Sequence, residues 1–310
     1  MSNKITIIGA GQVGSTIAFA LTLKQLASEI VIIDIVKDKA MGEAMDIRQG
    51  TPYMSPVNIH EGTYEDAKGS NIVIVTSGAA RKPGQTRLDL AQTNVNIFKS
   101  IIPQITRVAP DAIYVLVANP VDILTYQLAK TSSIPVNRII GTGTLLDTAR
   151  LRTKIADEYG IGQANLHAYV FGEHGDSSFI PWSLTSIAGV TMEEYCEDQA
   201  HADIDEEEII QEVRSAGAEV IKRKGATFYA IAMSVNKICD SILRDSKNII
   251  TVSTLINDKY GINDVCLSLP CVIGSNGIEK EVSPSMTDEE MEKLRNSAAA
   301  LRSVLDQIVF

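Results

Sequence analysis

The fold of this chain is decided by the stretch Lys4-Ile5-Thr6-Ile7-Ile8-Gly9-Ala10-Gly11-Gln12-Val13-Gly14. Its first five residues form an apolar run of the kind found in buried strands. Three glycines with the spacing G-x-G-x-x-G follow, and a segment of helical period then continues to Leu26. Glycines in such a turn allow the chain to bend tightly and let the helix pack closely on the strand. The stretch therefore predicts a strand over Lys4 to Ile8, a glycine turn, and a helix over Gly11 to Leu26.

Outward from this turn, short apolar runs alternate with segments of helical period. This β-α-β order predicts a parallel sheet covered by helices. From about Thr142 the pattern changes to longer helices, so we place a domain boundary near Gly141. We predict an α/β protein with a Rossmann-type parallel-sheet domain at 1–141 and an α+β substrate or catalytic domain at 142–310. The predicted elements are strands at Ile30–Ile33, Ile72–Val75, Ile113–Val117, Ile249–Leu255 and Val265–Ile273, and helices at Lys37–Gln49 and Asp288–Ile308.

Length, composition and charge narrow the class of protein. A chain of 310 residues fits two domains, and 45% hydrophobic with 21% charged residues is typical of a globular protein. No apolar run approaches the roughly 20 residues that a membrane helix needs. The net charge of −10 argues against nucleic acid or an anionic membrane as partner. An anionic substrate would therefore need a local cluster of positive charge.

The N-terminus and the cysteines both favour a reduced, cytoplasmic protein. The N-terminus leads directly into the first strand, so no signal peptide is visible. The cysteine spacing matches no zinc motif, and four thiols in 310 residues do not make a disulfide scaffold. We expect a reduced, cytoplasmic protein without a metal site. The cysteines are Cys196, Cys239, Cys266 and Cys271.

A dinucleotide site is indicated where the second predicted strand ends. Asp34 follows that strand, 20 residues past Gly14. The glycine turn at Gly9, Gly11 and Gly14 can admit a pyrophosphate at the N-terminus of the helix. A carboxylate at Asp34 can accept hydrogen bonds from both ribose hydroxyls and repels a 2′-phosphate. The pattern predicts NAD rather than NADP, although a glycine-rich turn with a capping aspartate would look similar.

Reactive side chains are concentrated in three later segments. His174 stands between glycines after the strand-like run Ala168–Phe171. Asp147 and Arg150 are three residues apart, so they share a face of a predicted helix. Asn119 follows a parallel strand, where open sheets place ligands.

These residue types fit the reduction of a 2-oxo acid by hydride transfer. A histidine can donate the proton that the ketone gains, and a carboxylate can orient that histidine. One arginine can bind the substrate carboxylate through two parallel hydrogen bonds, and a second can polarise the carbonyl. A histidine alone is more often a surface or core residue, so the prediction depends on the combination.

The sequence resembles the L-lactate/malate dehydrogenase family over essentially its whole length. The motifs that carry the resemblance are GAGQVGS, RKPGQTRLDL, ANPVDI, GTGTLLDTARLR, HAYVFGEHGDSS and KGATFYAIA. The resemblance implies an NAD-dependent enzyme that interconverts a 2-oxo acid and an L-2-hydroxy acid. It implies these substrate-side roles: His174 as proton donor and acceptor, Asp147 as its orienting carboxylate, Arg87 as the loop arginine that polarises the carbonyl, Arg150 as the carboxylate clamp, Asn119 as a contact to substrate and nicotinamide, and Thr227 as a pocket residue. It places Gly9, Gly11, Gly14, Asp34, Thr76, Gly78 and Asn119 at the cofactor.

Substrate choice depends on Arg81. Glu173, Thr227 and Leu88 resemble the lactate branch of the family, whereas Arg81 stands where lactate-type members usually carry glutamine and malate-type members carry arginine. Enclosing the second carboxylate of oxaloacetate without a partner costs free energy. A two-point ion pair with an arginine offsets that cost, because it contributes about 2–5 kcal/mol in a closed site. We therefore predict a lactate-dehydrogenase-like scaffold that favours oxaloacetate and L-malate, with pyruvate and L-lactate as the alternative. A solvated loop arginine is the other interpretation of Arg81.

The resemblance also implies regulation and assembly. Arg152 lies two positions from Arg150, about 200° around a helix, so it leaves the catalytic pocket. His167 lies seven residues before His174. In the family, the matching positions form an anionic effector site at a subunit interface, which bacterial lactate dehydrogenases use for fructose 1,6-bisphosphate. The resemblance thus implies a homodimer or homotetramer, although a surface arginine and an ordinary histidine would also fit.

Two other classes of protein are alternative interpretations of the sequence. A related family of NAD-dependent glycosidases shares the N-terminal fold but uses a metal, and the Asn119 segment lacks a nearby cysteine and histidine pair for one. A non-catalytic NAD-binding protein would not need His174, Asp147, Arg150 and Arg87 together.

Overall fold

The computed structural model describes residues 3–80, 84–199 and 205–310. Arg81, the predicted specificity residue, lies outside these ranges. The strands are β1 (Lys4–Ile8), β2 (Glu29–Ile33), β3 (Asn58–Glu61), β4 (Ile72–Val75), β5 (Ile113–Leu116), β6 (Ile139–Gly141), β7 (Leu166–His167), β8 (Ser186–Ile187), β9 (Val190–Thr191), β10 (Asn248–Ile256), β11 (Val265–Gly274) and β12 (Gly277–Glu281). The α-helices are α1 (Gln12–Leu23), α2 (Lys37–Gln49), α3 (Arg87–Val108), α4 (Val121–Thr131), α5 (Leu145–Tyr159), α6 (Met192–Gln199), α7 (Glu206–Lys224), α8 (Tyr229–Leu243) and α9 (Asp288–Leu305).

One large sheet organises the described residues. Its nine strands run in the order β12-β11-β10-β6-β5-β4-β1-β2-β3. Strands β1 to β6 pair with one another in parallel, which confirms the predicted parallel sheet. The last three strands are antiparallel and join the sheet where Ser253 of β10 pairs with Gly141 of β6. The sheet is therefore continuous across the boundary that we predicted near Gly141. A small separate sheet contains β7, β8 and β9.

The strands alternate between two hydrophobic layers. Ile7 and Ile32 face one layer, where α1 and α8 pack, whereas Ile8 and Val31 face the other layer, covered by α3, α4 and α9. All four side chains are nearly inaccessible to solvent. A strand buried on both faces has a continuous apolar sequence, and these segments are recognisable from sequence for that reason.

Some boundaries differ from the predicted ones. Helix α1 ends at Leu23 rather than Leu26, because Gln25 takes a left-handed backbone conformation with φ of 55° that a helix cannot continue. Helix α9 ends at Leu305 rather than Ile308. The strand-like run Ala168–Phe171 does not form a strand, since within it Phe171 alone forms a bridge, to Phe179.

The sheet brings distant segments of the chain to one edge. The carboxyl ends of β1 and β4 meet where the Thr76 hydroxyl donates hydrogen bonds to the carbonyls of Ile8 and Gly9, at 3.2 and 3.1 Å. Asn119 follows the end of β5 beside them. Parallel strands thus gather the loops in which open α/β sheets bind ligands. Across the described ranges, no helix combines the length and apolarity needed to cross a membrane.

Candidate active site

The glycine turn after β1 has the shape that a pyrophosphate site requires. Gly9 has φ of 111°, and a methyl group added to it would lie 2.5 Å from the Thr76 hydroxyl. A methyl on Gly14 would lie 1.9 Å from the carbonyl oxygen of Gly9. Gly11 differs, since a methyl there would meet no described atom within 4 Å. Gly9 and Gly14 therefore serve packing, whereas Gly11 borders the open space before the first amides of α1, which attract a phosphate.

Asp34 is directed at the same turn. One carboxylate oxygen accepts from the Ala10 amide at 2.7 Å, and the other accepts from the Val36 amide at 2.9 Å. These bonds orient the carboxylate at the end of β2, next to the N-terminus of α1. The open face at Gly11, the helix terminus and this carboxylate together fit an NAD molecule lying across the edge of the sheet.

Asn94 connects two loops at this edge, and we did not predict it. Its side-chain amide donates to the carbonyls of Asn119 (2.6 Å) and Ala79 (3.2 Å) and accepts from the Ala79 amide (2.7 Å). The side chain is buried on the apolar face of α3, beside Val95. Asn94 thus fixes the turn containing Gly78 relative to the loop of Asn119. A polar residue on an otherwise apolar helix face was the available signal.

His174, Asp147 and Arg150 form a connected group. His174 Nδ1 lies 2.5 Å from one oxygen of Asp147, and the Nη1 atom of Arg150 donates to the other oxygen at 2.9 Å. Asp147 is 8% exposed at its side chain, so it is almost removed from water. Asp147 and Arg150 share one face of α5, as their spacing predicts.

The electrostatics of the group favour a charged histidine. Burial acts to lower the pKa of His174, but the charge and hydrogen bond of Asp147 outweigh it, so this pKa lies above its usual value. Burial acts to raise the pKa of Asp147, but His174 and Arg150 outweigh it, so the carboxyl stays ionised. An ionised carboxylate only accepts hydrogen bonds, so Nδ1 of His174 carries a proton and donates a hydrogen bond to Asp147. The other ring nitrogen, Nε2, is the atom left for the substrate.

The main chain around His174 is held as firmly as its ring. Gly172 exchanges two backbone hydrogen bonds with Ser268 of β11, at 3.0 and 2.8 Å. The His174 amide donates to Asp122 at 2.8 Å, and Ser253 donates to the same carboxylate at 2.6 Å. Sequence reasoning missed Asp122 and Ser253, because the pairing of α4 with β10 and the histidine loop is a tertiary contact.

Arg87 is the first residue of α3, after the N-cap Thr86. Its guanidinium pairs with Asp176, with contacts at 2.5 and 3.0 Å. Because Asp176 lies two residues past His174, this ion pair brings Arg87 to the histidine loop.

The remaining predicted residues stand outside the hydrogen-bonded His174 group. Thr227 is half-buried in the turn between α7 and α8, and within the described ranges no hydrogen bond links it to the His174 group. Arg152 donates to the Ala168 carbonyl at 3.0 Å and lies over the ring of Tyr169, away from Arg150. His167 is exposed on β7, one residue from that carbonyl. Arg152 thus contacts the residue that follows His167 in the chain.

Comparison with known families decides the identity. Residues 3–141 match the model of the lactate/malate dehydrogenase NAD-binding domain, and residues 144–309 match that of the lactate/malate dehydrogenase alpha/beta C-terminal domain. The chain belongs to the lactate/malate dehydrogenase family. As a member of this family it is an NAD-dependent oxidoreductase of 2-hydroxy acids, and its cofactor is NAD.

Relatives in this family are similar along the whole chain. L-lactate dehydrogenase 1 of Clostridium acetobutylicum is 48% identical over 310 residues, which is 99% of each chain. An L-lactate dehydrogenase of Acetivibrio thermocellus is 46% identical over 97% of this chain and 96% of its own. Among solved structures, the minor L-lactate dehydrogenase of Enterococcus mundtii has a TM-score of 0.96 at 38% identity, covering 100% of this chain and 99% of that one.

Proposed function

We propose that this enzyme is an L-lactate dehydrogenase, which interconverts pyruvate and L-lactate. The observation that carries the proposal is the connected group of His174, Asp147 and Arg150, which supplies a proton donor and a carboxylate clamp from one helix face and one loop. The names of the relatives support pyruvate as the substrate.

Each residue of the group has a separate part in this reaction. Arg150 binds the substrate carboxylate with the donors that Asp147 leaves free. Gly217 of α7 makes room there, since a methyl at this position would come 3.3 Å from Nη2 of Arg150. Asp147 keeps Nδ1 of His174 protonated, so Nε2 of the imidazolium faces the carbonyl oxygen and gives it a proton. When it is bound, NADH supplies the hydride.

Two further residues complete the substrate site. Arg87 leaves Asp176 to polarise the carbonyl as negative charge develops. Asn119, held by Asn94, lies between substrate and nicotinamide, and Thr227 lines the pocket. The residues proposed at the cofactor are Gly9, Gly11, Gly14, Asp34, Thr76, Gly78 and Asn119. In this arrangement the segment 1–141 holds most of the cofactor contacts, and the segment 142–310 holds the proton donor and the clamp.

Arg81 supports the second candidate substrate, oxaloacetate. An arginine at this position can pair with the far carboxylate of oxaloacetate, whereas the methyl of pyruvate offers it no partner. The names of the relatives nevertheless favour pyruvate, so we propose it first and reverse the order that Arg81 alone predicts.

Kinetics with both acids test the choice. We expect kcat/KM for pyruvate to exceed that for oxaloacetate in the native enzyme. Arg81→Gln should lower the remaining oxaloacetate activity by about 10²-fold, since a charge partner is lost. Lys82→Gln is the matched control, because it removes a neighbouring positive charge from the same segment. A native preference for oxaloacetate that Arg81→Gln reverses would overturn pyruvate and establish L-malate.

The effector site at Arg152 and His167 and the assembly into a homodimer or homotetramer belong to the same proposal. Their support is the position of Arg152 beside the carbonyl next to His167. Exposed apolar side chains on the neighbouring helices α1 and α8, such as Phe19 and Met233, suit a contact with a second copy of the chain. Sedimentation and activity measured with and without fructose 1,6-bisphosphate test this part. An unchanged monomer with unchanged activity would rule it out.

A further inference from the structure

Asp122 is a buried carboxylate that the reaction described above does not use. It lies in the first turn of α4 and is 3% exposed. Both of its oxygens are engaged: one accepts from the Ser253 hydroxyl at 2.6 Å, and the other accepts from the backbone amide of His174 at 2.8 Å. Asp122 therefore joins a helix, a central strand and the loop that carries the histidine.

His174 is consequently fixed at two points by two carboxylates from different helices. Asp147 of α5 holds the ring through Nδ1, and Asp122 of α4 holds the main chain through the amide. The ring contact orients the imidazole, and the amide contact adds to the hydrogen bonds of Gly172 with Ser268 in fixing the main chain of the loop. Together they determine where Nε2 points. Groups that orient a reacting side chain in this way matter because a displacement of about 1 Å can reduce a rate by 10²-fold.

We propose that Asp122 is a positioning residue of the reaction, which holds the main chain of His174 in place and whose negative charge favours the protonated imidazole. The proposal rests on the role assigned to His174 under the proposed function. It does not depend on whether pyruvate or oxaloacetate is the substrate.

The surroundings of Asp122 show why a charge at this position has a consequence. Its neighbours are the Ser253 hydroxyl on β10, Cys266 on β11, and Glu173 and His174 in the loop. Burial raises the pKa of Asp122 to about 6, against the hydrogen bonds from Ser253 and His174. The Asp122 charge adds to that of Asp147 in raising the pKa of His174, whereas Arg150 acts in the opposite direction. The charge of Asp122 therefore raises the pKa of His174 above about pH 6. Below that pH Asp122 becomes protonated and the effect is lost.

A purely structural role would not require a carboxylate. An asparagine has the same shape, and its carbonyl oxygen could accept the His174 amide without the cost of burying a charge. Asp122→Asn therefore separates the two parts of the proposal, because it keeps the backbone contact and removes the charge. Asp122→Ala removes both.

The experiment measures the pH dependence of kcat/KM for NADH-dependent reduction of a 2-oxo acid by the full-length enzyme. For Asp122→Asn we expect the apparent pKa of the alkaline limb, where His174 loses its proton, to fall by about half a unit or more, with NADH affinity unchanged. For Asp122→Ala we expect kcat to fall at least about tenfold, with a smaller change in KM. Ser253→Ala removes one donor from Asp122 and should shift the profile in the same direction as Asp122→Asn.

Glu290 provides a matched control. It is also a buried carboxylate, and it accepts from a backbone amide and a serine hydroxyl, both of Ser183, at 3.0 and 2.6 Å. Glu290→Gln should leave the pH profile where it is. An equal shift in Glu290→Gln would show that any buried carboxylate has this effect, and would overturn the proposal.

The remaining outcomes separate this inference from the proposed function. If Asp122→Ala does not fold, Asp122→Asn and Ser253→Ala carry the test. If both variants keep the native pH dependence of kcat/KM, the proposed role of Asp122 is wrong. His174→Gln is assayed alongside: native turnover in that variant would overturn the proton donor itself, whereas lost turnover with unaffected Asp122 variants would overturn this inference alone.

Discussion

Arg87 and Asp176 face each other in a two-point ion pair between the start of α3 and the histidine loop. The contacts are 2.5 and 3.0 Å, and the two side chains are 67% and 74% exposed. An ion pair so open to water contributes at most about 1 kcal/mol to stability. Arg87 can therefore leave Asp176 for the carbonyl of a substrate at small cost. The pair holds the guanidinium at the histidine loop without binding it there permanently.

Replacing Arg87 tests whether the arginine acts on the substrate or only on Asp176. We expect Arg87→Gln to lower kcat by about 10²–10³-fold, with a smaller change in KM, because a donor to the developing oxyanion is lost. Asp176→Asn removes the same ion pair from the other side and should leave kcat within about threefold, since an exposed pair is weak. Steady-state kinetics compare the two. Equal losses would mean that the ion pair, rather than a contact with the carbonyl, is what the reaction needs.

The raised pKa of His174 predicts opposite pH dependences for the two directions. Reduction needs the imidazolium, so its rate should fall as pH rises through that pKa, whereas oxidation needs the neutral ring and should rise over the same interval. Asp147→Asn removes the charge that outweighs burial, so both midpoints should move to lower pH by about one unit or more. Profiles of kcat/KM in both directions check this shift. Unmoved midpoints would show that another group titrates.

Two arginines on α5 allow a matched comparison. Arg150→Lys replaces a planar donor with a point charge and should raise KM for the 2-oxo acid by about 10²-fold, since two parallel hydrogen bonds cannot form. Arg152→Lys makes the same chemical change two residues away, where the side chain contacts Ala168, and should leave that KM unchanged. The comparison uses saturation kinetics without any phosphorylated effector. A KM that rises equally in both variants would count against Arg150 as the clamp.

The glycine turn predicts a contrast between two alanine variants. Gly14→Ala places a methyl 1.9 Å from the Gly9 carbonyl, so helix and strand must separate and the protein should lose stability. Gly11→Ala meets no described atom within 4 Å, so the fold should persist while NADH binds more weakly. Thermal unfolding and NADH fluorescence titration distinguish these effects. Undiminished NADH affinity in Gly11→Ala would argue against a pyrophosphate beside that residue.

Much of the fold could be predicted because its strands are buried on both faces. The continuous apolar runs at Lys4–Ile8 and Ile72–Val75 have the predicted bounds, and α2 matches its predicted range as well. Helix ends were less predictable, as at α1, because they depend on single backbone conformations such as that of Gln25. The run Ala168–Phe171 is apolar for a different reason, since it packs in the core without strand partners along its length.

The residue types of the reaction were also recognisable along the chain. The pair Asp147 and Arg150 follows from helical spacing, and the resemblance to the family placed His174 with them. Sequence reasoning did not find Asn94, Asp122 and Ser253, which hold the site through hydrogen bonds between residues 15 to 131 apart. Asn94 stands out as a polar residue on an apolar helix face, but no local pattern identifies a partner that lies so far along the chain.

The sequence by itself determined the parallel sheet, the dinucleotide turn and the class of chemistry, because strand burial, glycine spacing and helical period act over a few neighbouring residues. Only the tertiary structure decided which group holds the main chain of His174, whereas the resemblance had already implied Asp147 as the partner of its ring. Its ring is oriented by Asp147 and its main chain by Asp122, and both contacts exist only after α4, α5 and the histidine loop have packed against the same sheet. The charge state of the histidine follows from that packing, since burial and two nearby carboxylates set its pKa.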